Sequence, residues 1–199
     1  CNWNNLTSLD VSNNIVLTHL DVWANQLTNI DISNNIALTY LDCIFNQLAS
    51  LDVSANINLE YLAVEGNPLI ISLDVSNNTA LSILRFQDIN LTSIDVSQNT
   101  ALTELNCWGN QLTSINVSNN TALTSLQCGH NQLTSLNVSN NTALTTLGLE
   151  GNQLASLDLR NGNNTNMILS AINNPNLICI DVDDPVYSTA NWTVANGNI

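Results

Sequence analysis

The sequence contains few charged residues and almost no cations. Only 9% of its 199 residues are charged, whereas typical domains contain about 25%. Two Lys or Arg residues face 16 Asp and Glu residues, which gives a formal net charge of -14 at pH 7. Binding to nucleic acid or to an anionic membrane needs a cationic patch, so neither partner is expected. No apolar run approaches the ~20 residues of a membrane span, so direct membrane insertion is not expected either.

What the sequence does contain is one unit repeated about every 21 residues. Successive repeats, called lines below, begin at Leu17, Leu38, Leu59, Leu81, Leu102, Leu123 and Leu144. In the line from Leu102, apolar and polar residues alternate in a first half that ends at Asn110, and the second half of the repeat has a similar pattern. Alternation with period two predicts short strands with one buried face, and neither half has room for a helix. We therefore predict a solenoid of about nine coils, with parallel strands on both faces and little or no helix.

The first half of each line resembles the leucine-rich repeat. The pattern L-x-x-L-x-L-x-x-N/C-x-L of that family is met by Leu102, Leu105, Cys107, Asn110 and Leu112. The resemblance covers nearly the whole chain and implies a leucine-rich-repeat solenoid, an α/β-type repeat class that is here mostly β. It divides the chain into a repeat array, 1–182, whose first coil is truncated, and a capping segment, 183–199.

The short line and the half-turn Leu-Asp-Val-Ser-Asn-Asn are similar to repeats of secreted and cell-surface Bacteroidetes proteins. The segments 174–177, 179–184 and 187–193 resemble the closing part of such arrays, which usually precedes a type IX secretion signal domain. This resemblance implies an extracellular or cell-surface location.

Asparagine recurs at two corners of every coil, where its amide can satisfy the unpaired groups of a buried bend. The first column is assigned a structural role and includes Asn25, Asn46, Asn67, Asn110, Asn131 and Asn152. The second contains Asn14, Asn35, Asn56, Asn78, Asn99, Asn120 and Asn141. The first column is interrupted at Ile89, next to the coil with an extra residue in 69–71. This break is either a local bulge, in which Asp88 or Asn90 replaces the missing asparagine, or a distorted patch that shapes a ligand site.

Five cysteines in a chain of this length are no disulfide framework. Four of them occupy the last inward site of the first strand and are interpreted as small core residues, with no metal bound: Cys1, Cys43, Cys107 and Cys128. Cys1 is either a lipidated first residue or a position inside an interrupted coil, and the second is favoured. Cys179 is predicted to point outward, where it could pair with a cysteine outside this sequence.

The second strand carries one outward carboxylate in most coils. A flat row of carboxylates offers a calcium ion fewer than the six to eight oxygens that it takes, so a solvated face is favoured. Calcium binding is kept as the weaker alternative for Asp31, Asp52, Asp74 and Asp95.

The outward sites of the first strand differ from coil to coil, which the fold does not require. By resemblance they lie on the concave face, and they are the candidate ligand-binding residues: His19, Trp23, Tyr40, Phe45, Tyr61, Glu65, Arg85, Glu104, Trp108, Gln127, His130 and Glu150. Trp3 joins Trp23, Tyr40, Phe45 and Tyr61 in a predicted aromatic patch, a composition suited to protein anchors and to sugar stacking.

No catalytic constellation is evident. His19 and His130 are five coils apart, about 24 Å, and no nucleophile adjoins a base. We therefore predict a non-catalytic extracellular binding or adhesion module, without a cofactor, that recognises a protein partner through its concave face. Carbohydrate binding on the aromatic patch and a purely structural spacer are the alternatives. The acidic charge favours a basic or hydroxyl-rich partner over an anionic one.

Overall fold

A computed structural model describes residues 1–193 of the chain, and it is a parallel-strand solenoid. Eight strands form one parallel sheet in the order β1-β2-β3-β4-β5-β6-β7-β9. Their bounds are β1 His19–Asp21, β2 Tyr40–Asp42, β3 Tyr61–Ala63, β4 Ile83–Arg85, β5 Glu104–Asn106, β6 Ser125–Gln127, β7 Thr146–Gly148 and β9 Ile168–Ser170. The remaining strands, β8 Ser156–Asp158 and β10 Cys179–Asp181, pair with each other. This mostly β leucine-rich-repeat solenoid confirms the predicted fold class, with eight strands in the main sheet.

Equivalent residues of successive coils pair directly. Leu41 is opposite Leu62, for example, and Leu62 is opposite Leu84. The middle residue of each strand in the main sheet is buried and contributes to one continuous apolar core. Each fully buried leucine stabilises the fold by about 1.5–3 kcal/mol. The repeat period therefore places every outward side chain beside its equivalent in the next coil.

The second face of the coils differs from the prediction of strands on both faces. Within residues 1–193 a regular ladder is present there only where β10 pairs with β8, and it is extended by a bridge between Asn137 and Asp158. In the earlier coils the serine amide is bonded within its own coil, as when Ser33 N–H donates to Asp31 Oδ1 (3.0 Å), and the equivalent Arg160 N–H at the end of β8 makes the same bond to Asp158 Oδ1 (3.1 Å). The second half-turn is therefore buried on one side, and its local amide bond is present both in β8, which pairs, and in the earlier coils, which have no regular ladder.

The asparagine corners join neighbouring coils. Asn46 Nδ2 donates to Val22 O of the preceding coil and to Cys43 O of its own, both at 3.1 Å. Its Oδ1 accepts from Leu27 N–H at 3.0 Å. Asn25, Asn67, Asn110, Asn131 and Asn152 make the same three kinds of bond.

The break at Ile89 is compensated by backbone bonds. Ile89 is fully buried, and Ile70 N–H, which would have donated to the missing asparagine, instead donates to Asn67 O at 3.0 Å. Asn90 Nδ2 also donates to Pro68 O of the preceding coil at 3.0 Å. Asp88 takes no part in this compensation, so its carboxylate stays available to the outer surface.

A 3-10 helix, Asn164–Asn166, precedes β9, and a short helix α1, Pro185–Asn191, lies near the end of the described chain. Asp184 caps α1 by accepting from Tyr187 N–H at 2.9 Å, and Trp192 is buried against the core. The predicted capping segment 183–199 extends to 194–199, which lie outside the described residues. No helix within residues 1–193 is long and apolar enough to cross a membrane.

Candidate functional site

The outward side of the eight-stranded sheet, called the sheet face below, carries the variable residues. Its first column contains a continuous stack of rings. The rings of His19 and Tyr40 are 4.0 Å apart with planes 11° from parallel, and those of Tyr40 and Tyr61 are 4.3 Å apart and 7° from parallel. Ile83 is the residue that pairs with Tyr61, but Arg85 reaches across from the neighbouring column, with its Cζ 5.9 Å from the Tyr61 ring centre and its Nε 2.8 Å from Glu104 Oε1. These five residues form the sheet-face ladder, which crosses β1 to β5.

The ladder determines which ring surfaces a ligand can reach. Because neighbouring rings lie face to face, Tyr40 is covered on both faces and presents mainly its edge and hydroxyl group outward. Tyr40 and Tyr61 are half-buried, and burial is the main cause that raises the pKa of both hydroxyl groups. The ladder is therefore a rigid, hydrogen-bonding surface rather than a set of open stacking platforms.

The predicted aromatic patch is divided into separate groups. Trp3 and Trp23 form an edge-to-face pair at the first corner, with ring centres 4.9 Å apart. Phe45 lies at the corner after β2, where 58% of its surface is exposed. Trp108 packs at a tilt against His130, with 4.7 Å between ring centres. The structure thus joins His19, a predicted site residue, to the two tyrosines, but places the other rings at the corners.

These corners contain a column of left-handed backbone positions, one per coil. Non-glycine residues occupy several of them, with φ of 53° at Ala24, 50° at Phe45, 54° at Asp88 and 51° at His130. Such a backbone is costly for a non-glycine residue. It persists because the corner hydrogen bonds fix the bend, for example Phe45 N–H to Glu65 O at 2.8 Å.

Glycine alternates with the bulky residues in this column. A Cβ at Gly66 would lie 2.3 Å from Phe45 Cδ1, and a Cβ at Gly109 would lie 2.0 Å from Asp88 Oδ1. The side chains of Phe45 and Asp88 therefore lie across the next coil, in space that only glycine leaves free.

A cleft of about 280 Å³ lies at the centre of the sheet face and its corner. This central cleft is lined by Phe45, Glu65, Gly66, Gln87, Asp88, Asn106, Trp108 and Gln127. Burial is the main cause that raises the pKa of Glu65 and of Asp88. Gln87 Oε1 is buried and has no hydrogen-bond partner among the described residues. The cleft thus combines two aromatic walls with acidic and amide acceptors.

Of the twelve candidate residues, Phe45, Glu65, Trp108 and Gln127 meet at the cleft. The ladder contains another five of them, and His130 contacts Trp108. Sequence reasoning left Gln87, Asp88 and Asn106 out of the candidate set. The interrupted asparagine column at Ile89 was the signal that pointed to this region.

Glu150 fills space left by two glycines further along the face. A Cβ at Gly129 would lie 2.7 Å from Glu150 Cδ and 2.8 Å from Trp108 Cδ1, and a Cβ at Gly148 would lie 3.3 Å from Glu150 Oε2. That oxygen is buried without a hydrogen-bond partner in the described part of the chain. Trp108 and Glu150 thus approach each other across the surface of Gly129.

The carboxylate column of the second face has a structural explanation. Asp31, Asp52, Asp74 and Asp95 each accept from the amide of the serine two residues later, at 2.9–3.0 Å. Asn116 accepts from Ser118 in the same way, so the position requires an acceptor oxygen rather than a charge. Within residues 1–193 no cluster of three or more His, Cys, Asp or Glu is placed to hold a metal ion.

The cysteines lie in two environments. Cys43, Cys107 and Cys128 are fully buried in the core, and the Cys107 thiol donates to Cys128 Sγ at 3.0 Å. Cys1 and Cys179 are exposed, so the prediction of a core position is wrong for Cys1, and all five are free thiols. Burial raises the pKa of the Cys43 thiol far above its ordinary value, so the buried sulfurs act as core atoms.

The period, the in-register parallel sheet and the asparagine corners define this chain as a leucine-rich-repeat solenoid. Comparison with solved structures agrees. The functional domain of InlJ from Listeria monocytogenes, described as including a cysteine ladder, is 32% identical, with a TM-score of 0.56 over 90% of this chain and 46% of that one.

Two further structures share the fold. A leucine-rich-repeat protein of Leptospira interrogans is 21% identical, with a TM-score of 0.69 over 91% of this chain and 59% of that one. The internalin inlF of Listeria monocytogenes is 23% identical, with a TM-score of 0.61 over 94% and 62% of the two chains. The chain therefore spans less than two thirds of each of these three structures. No family model and no curated protein matches the sequence.

Proposed function

We propose that this chain is a non-catalytic recognition module that binds a protein partner through its sheet face. The observation that carries the proposal is the sheet-face ladder, in which His19, Tyr40, Tyr61, Arg85 and Glu104 of five consecutive coils are linked by contacts between their side chains. The repeat needs only the inward leucines and corner asparagines for folding. Tyrosine and arginine are enriched among the residues that dominate protein interfaces.

Rigidity of the ladder supports binding. Stacking and the Arg85–Glu104 ion pair hold these side chains in place before a partner arrives, so little side-chain entropy is lost on association. A spacer without a ligand would not need aligned, half-exposed tyrosines on successive coils. The ring faces within the ladder are largely covered by one another, so the carbohydrate alternative depends on the separate corner rings of Trp3 and Phe45, which are 72% and 58% exposed.

The proposal includes an extracellular or cell-surface location. It rests on the similarity of the 21-residue repeats and of the closing segments to those of secreted and cell-surface proteins, with the type IX route as its most specific form. The absence of a nucleophile beside a base on the sheet face supports a non-catalytic role. The solved structures reported above are leucine-rich-repeat proteins, and none is described as an enzyme.

The test is capture of surface proteins from candidate host and neighbouring cells, run beside a glycan array. Affinity for each captured protein is then measured with the double variant Tyr40→Ala, Tyr61→Ala. The matched control is Ile36→Ala, Ile57→Ala, which removes two side chains exposed by 60% and 57% at the opposite corner. Circular dichroism establishes that both variants fold.

We expect the ladder variant to bind at least tenfold more weakly than the control variant, as for an interface anchor. Equal binding by the two variants would contradict the proposal. Sugar binding that depends on the ladder would support the carbohydrate alternative, and absence of binding to proteins and glycans alike would favour the spacer.

A further inference from the structure

The central cleft contains two carboxylates that form no ion pair within residues 1–193, although Arg85 lies near Glu65 and His130 lies near Asp88. Glu65 and Asp88 both line it. The whole sequence has two Lys and Arg residues, and both are already paired, Arg85 with Glu104 at 2.8 Å and Arg160 with Asp158 at 2.6 Å. A cation that contacts both cleft carboxylates must therefore come from another molecule.

The polar lining is rich in acceptors, although the Gln87 amide already donates a hydrogen bond to the Glu65 carboxylate. Burial disfavours the charged form of both carboxylates, which is why their pKa values are raised. Gln87 Oε1 lines the same cleft, is buried and accepts no hydrogen bond within the described chain. Buried acceptors normally have a partner. A group with several N–H donors and a positive charge would satisfy all three side chains at once.

The aromatic walls fit the same chemistry. Phe45 stands at one end of the cleft and Trp108 at the other. The two residues belong to coils three steps apart, about 14 Å at the strand spacing, and the Phe45 ring leans over Gly66 toward the cleft. An aromatic face attracts ammonium and guanidinium groups and packs against their aliphatic stems.

The size and conformation of the cleft also restrict the ligand. Its volume of about 280 Å³ is below that of pockets for whole small-molecule ligands, but it is suitable for one side chain. Phe45 and Asp88 reach it from left-handed backbone positions, at φ of 50° and 54°. The same left-handed position recurs in the other coils, and here it directs these two side chains over the next coil.

We propose that the central cleft binds a cationic side chain, lysine or arginine, of a protein partner. Glu65, Asp88 and Gln87 accept hydrogen bonds from its nitrogen atoms, and Trp108 and Phe45 enclose its aliphatic part. This inference rests on the proposed function, because the cation belongs to the partner of the sheet face.

The test uses the isotope-labelled chain and three small probes followed by NMR. The probes are the Nα-acetyl amides of arginine, lysine and glutamine, of which the last is neutral and similar in length. The reporters are the Trp108 indole N–H and the side-chain amides of Gln87 and Asn106. The same titrations are repeated with the double variant Glu65→Gln, Asp88→Asn, which keeps the shape of both side chains and places asparagine where the left-handed backbone tolerates it.

The matched control is Asp74→Asn, Asp95→Asn on the second face. It changes the net charge by the same amount, and asparagine keeps the serine hydrogen bond there, as Asn116 does. We expect both cationic probes to shift the three reporters, the cleft variant to bind them at least tenfold more weakly, and the control to bind within twofold of the parent. Equal shifts with the glutamine probe, equal weakening in the control, or no shift with either cation would each overturn the inference.

Failure of this inference differs from failure of the proposed function. If the cations do not bind, but the ladder variant still loses a protein partner, the sheet face is a recognition surface and the cleft assignment is wrong. If the cations bind at the cleft and no partner depends on the ladder, the cleft assignment holds and the proposed function is wrong.

Discussion

The asparagines of the first column contribute unequally to the free energy of unfolding, which allows a quantitative test. In Asn46→Ala, Val22 O keeps its bond from Asn25 Nδ2 (2.9 Å), and Cys43 O keeps its bond from Asn67 Nδ2 (2.9 Å). Only Leu27 N–H loses its partner. One orphaned buried group costs about 1–3 kcal/mol.

Asn67→Ala should be more damaging because the next corner holds Ile89 instead of asparagine. Leu48 N–H loses its acceptor, as in the first variant. Val64 O also loses the bond from Asn67 Nδ2 (2.9 Å), and no second amide reaches it within the described chain. With two orphaned groups the expected loss is about 2–6 kcal/mol, which is a large part of the ~5–15 kcal/mol that holds a domain folded.

The assay is equilibrium unfolding in urea, followed by circular dichroism and tryptophan fluorescence. Asn34→Ala is the control, because Asn34 is exposed and its bond to Ser12 O is long at 3.4 Å, so its loss should stay within about 0.5 kcal/mol. Equal destabilisation by Asn46→Ala and Asn67→Ala at an unchanged m-value would refute the hydrogen-bond argument.

Three further predictions concern the thiols, the corner carboxylates and a glycine. With a thiol reagent, two cysteines should react in the folded chain and the three buried ones only after unfolding, because burial shields them. Rapid reaction of all five thiols in the folded chain would contradict the burial of those three cysteines in the core. Serine hydrogen bonds lower the pKa of the corner carboxylates, so their stabilisation is present above the ordinary pKa of 3.8 and is lost as pH falls below it. The test variant replaces four of them with asparagine: Asp31, Asp52, Asp74 and Asp95. Between about pH 5 and pH 2.5 its Tm should fall less than that of the parent chain, and an equal fall in Tm would count against the argument. Gly66→Ala should destabilise more than Gly162→Ala in thermal melts, since both have positive φ but only the first new Cβ meets a neighbour, Phe45 Cδ1 at 2.3 Å; equal losses of about 1–2 kcal/mol would show that backbone strain alone matters.

Much of the fold could be predicted because the repeat makes each inward position recur in every coil. The alternation of Leu102, Leu105 and Cys107 identifies a strand, and the 21-residue period identifies parallel coils. The prediction of paired strands along the whole second face was wrong for most coils. Ser33 N–H and Arg160 N–H make the same local bond, yet within residues 1–193 a regular ladder forms only at β8, a difference that alternation alone does not reveal.

The sequence predicts which positions face outward on the sheet, but it does not predict which of these side chains contact one another. In-register pairing places Tyr40 beside Tyr61, and that follows from the period. The turn of Phe45 away from them depends on a left-handed corner, and the contact of Arg85 with Glu104 depends on a side-chain rotamer. The cleft is harder still to predict, because it combines the compensated break at Ile89 with the space left by Gly66.

The most direct test of the central claim is photocrosslinking from the sheet face in the presence of a captured partner. A benzoylphenylalanine is placed at Tyr61 in the ladder or, as the control, at Ser50, which is exposed on the second half-turn of the coil before β3. The account predicts a covalent complex from position 61 and little from position 50. Equal crosslinking from both positions, or crosslinking from position 50 alone, would contradict recognition through the sheet face.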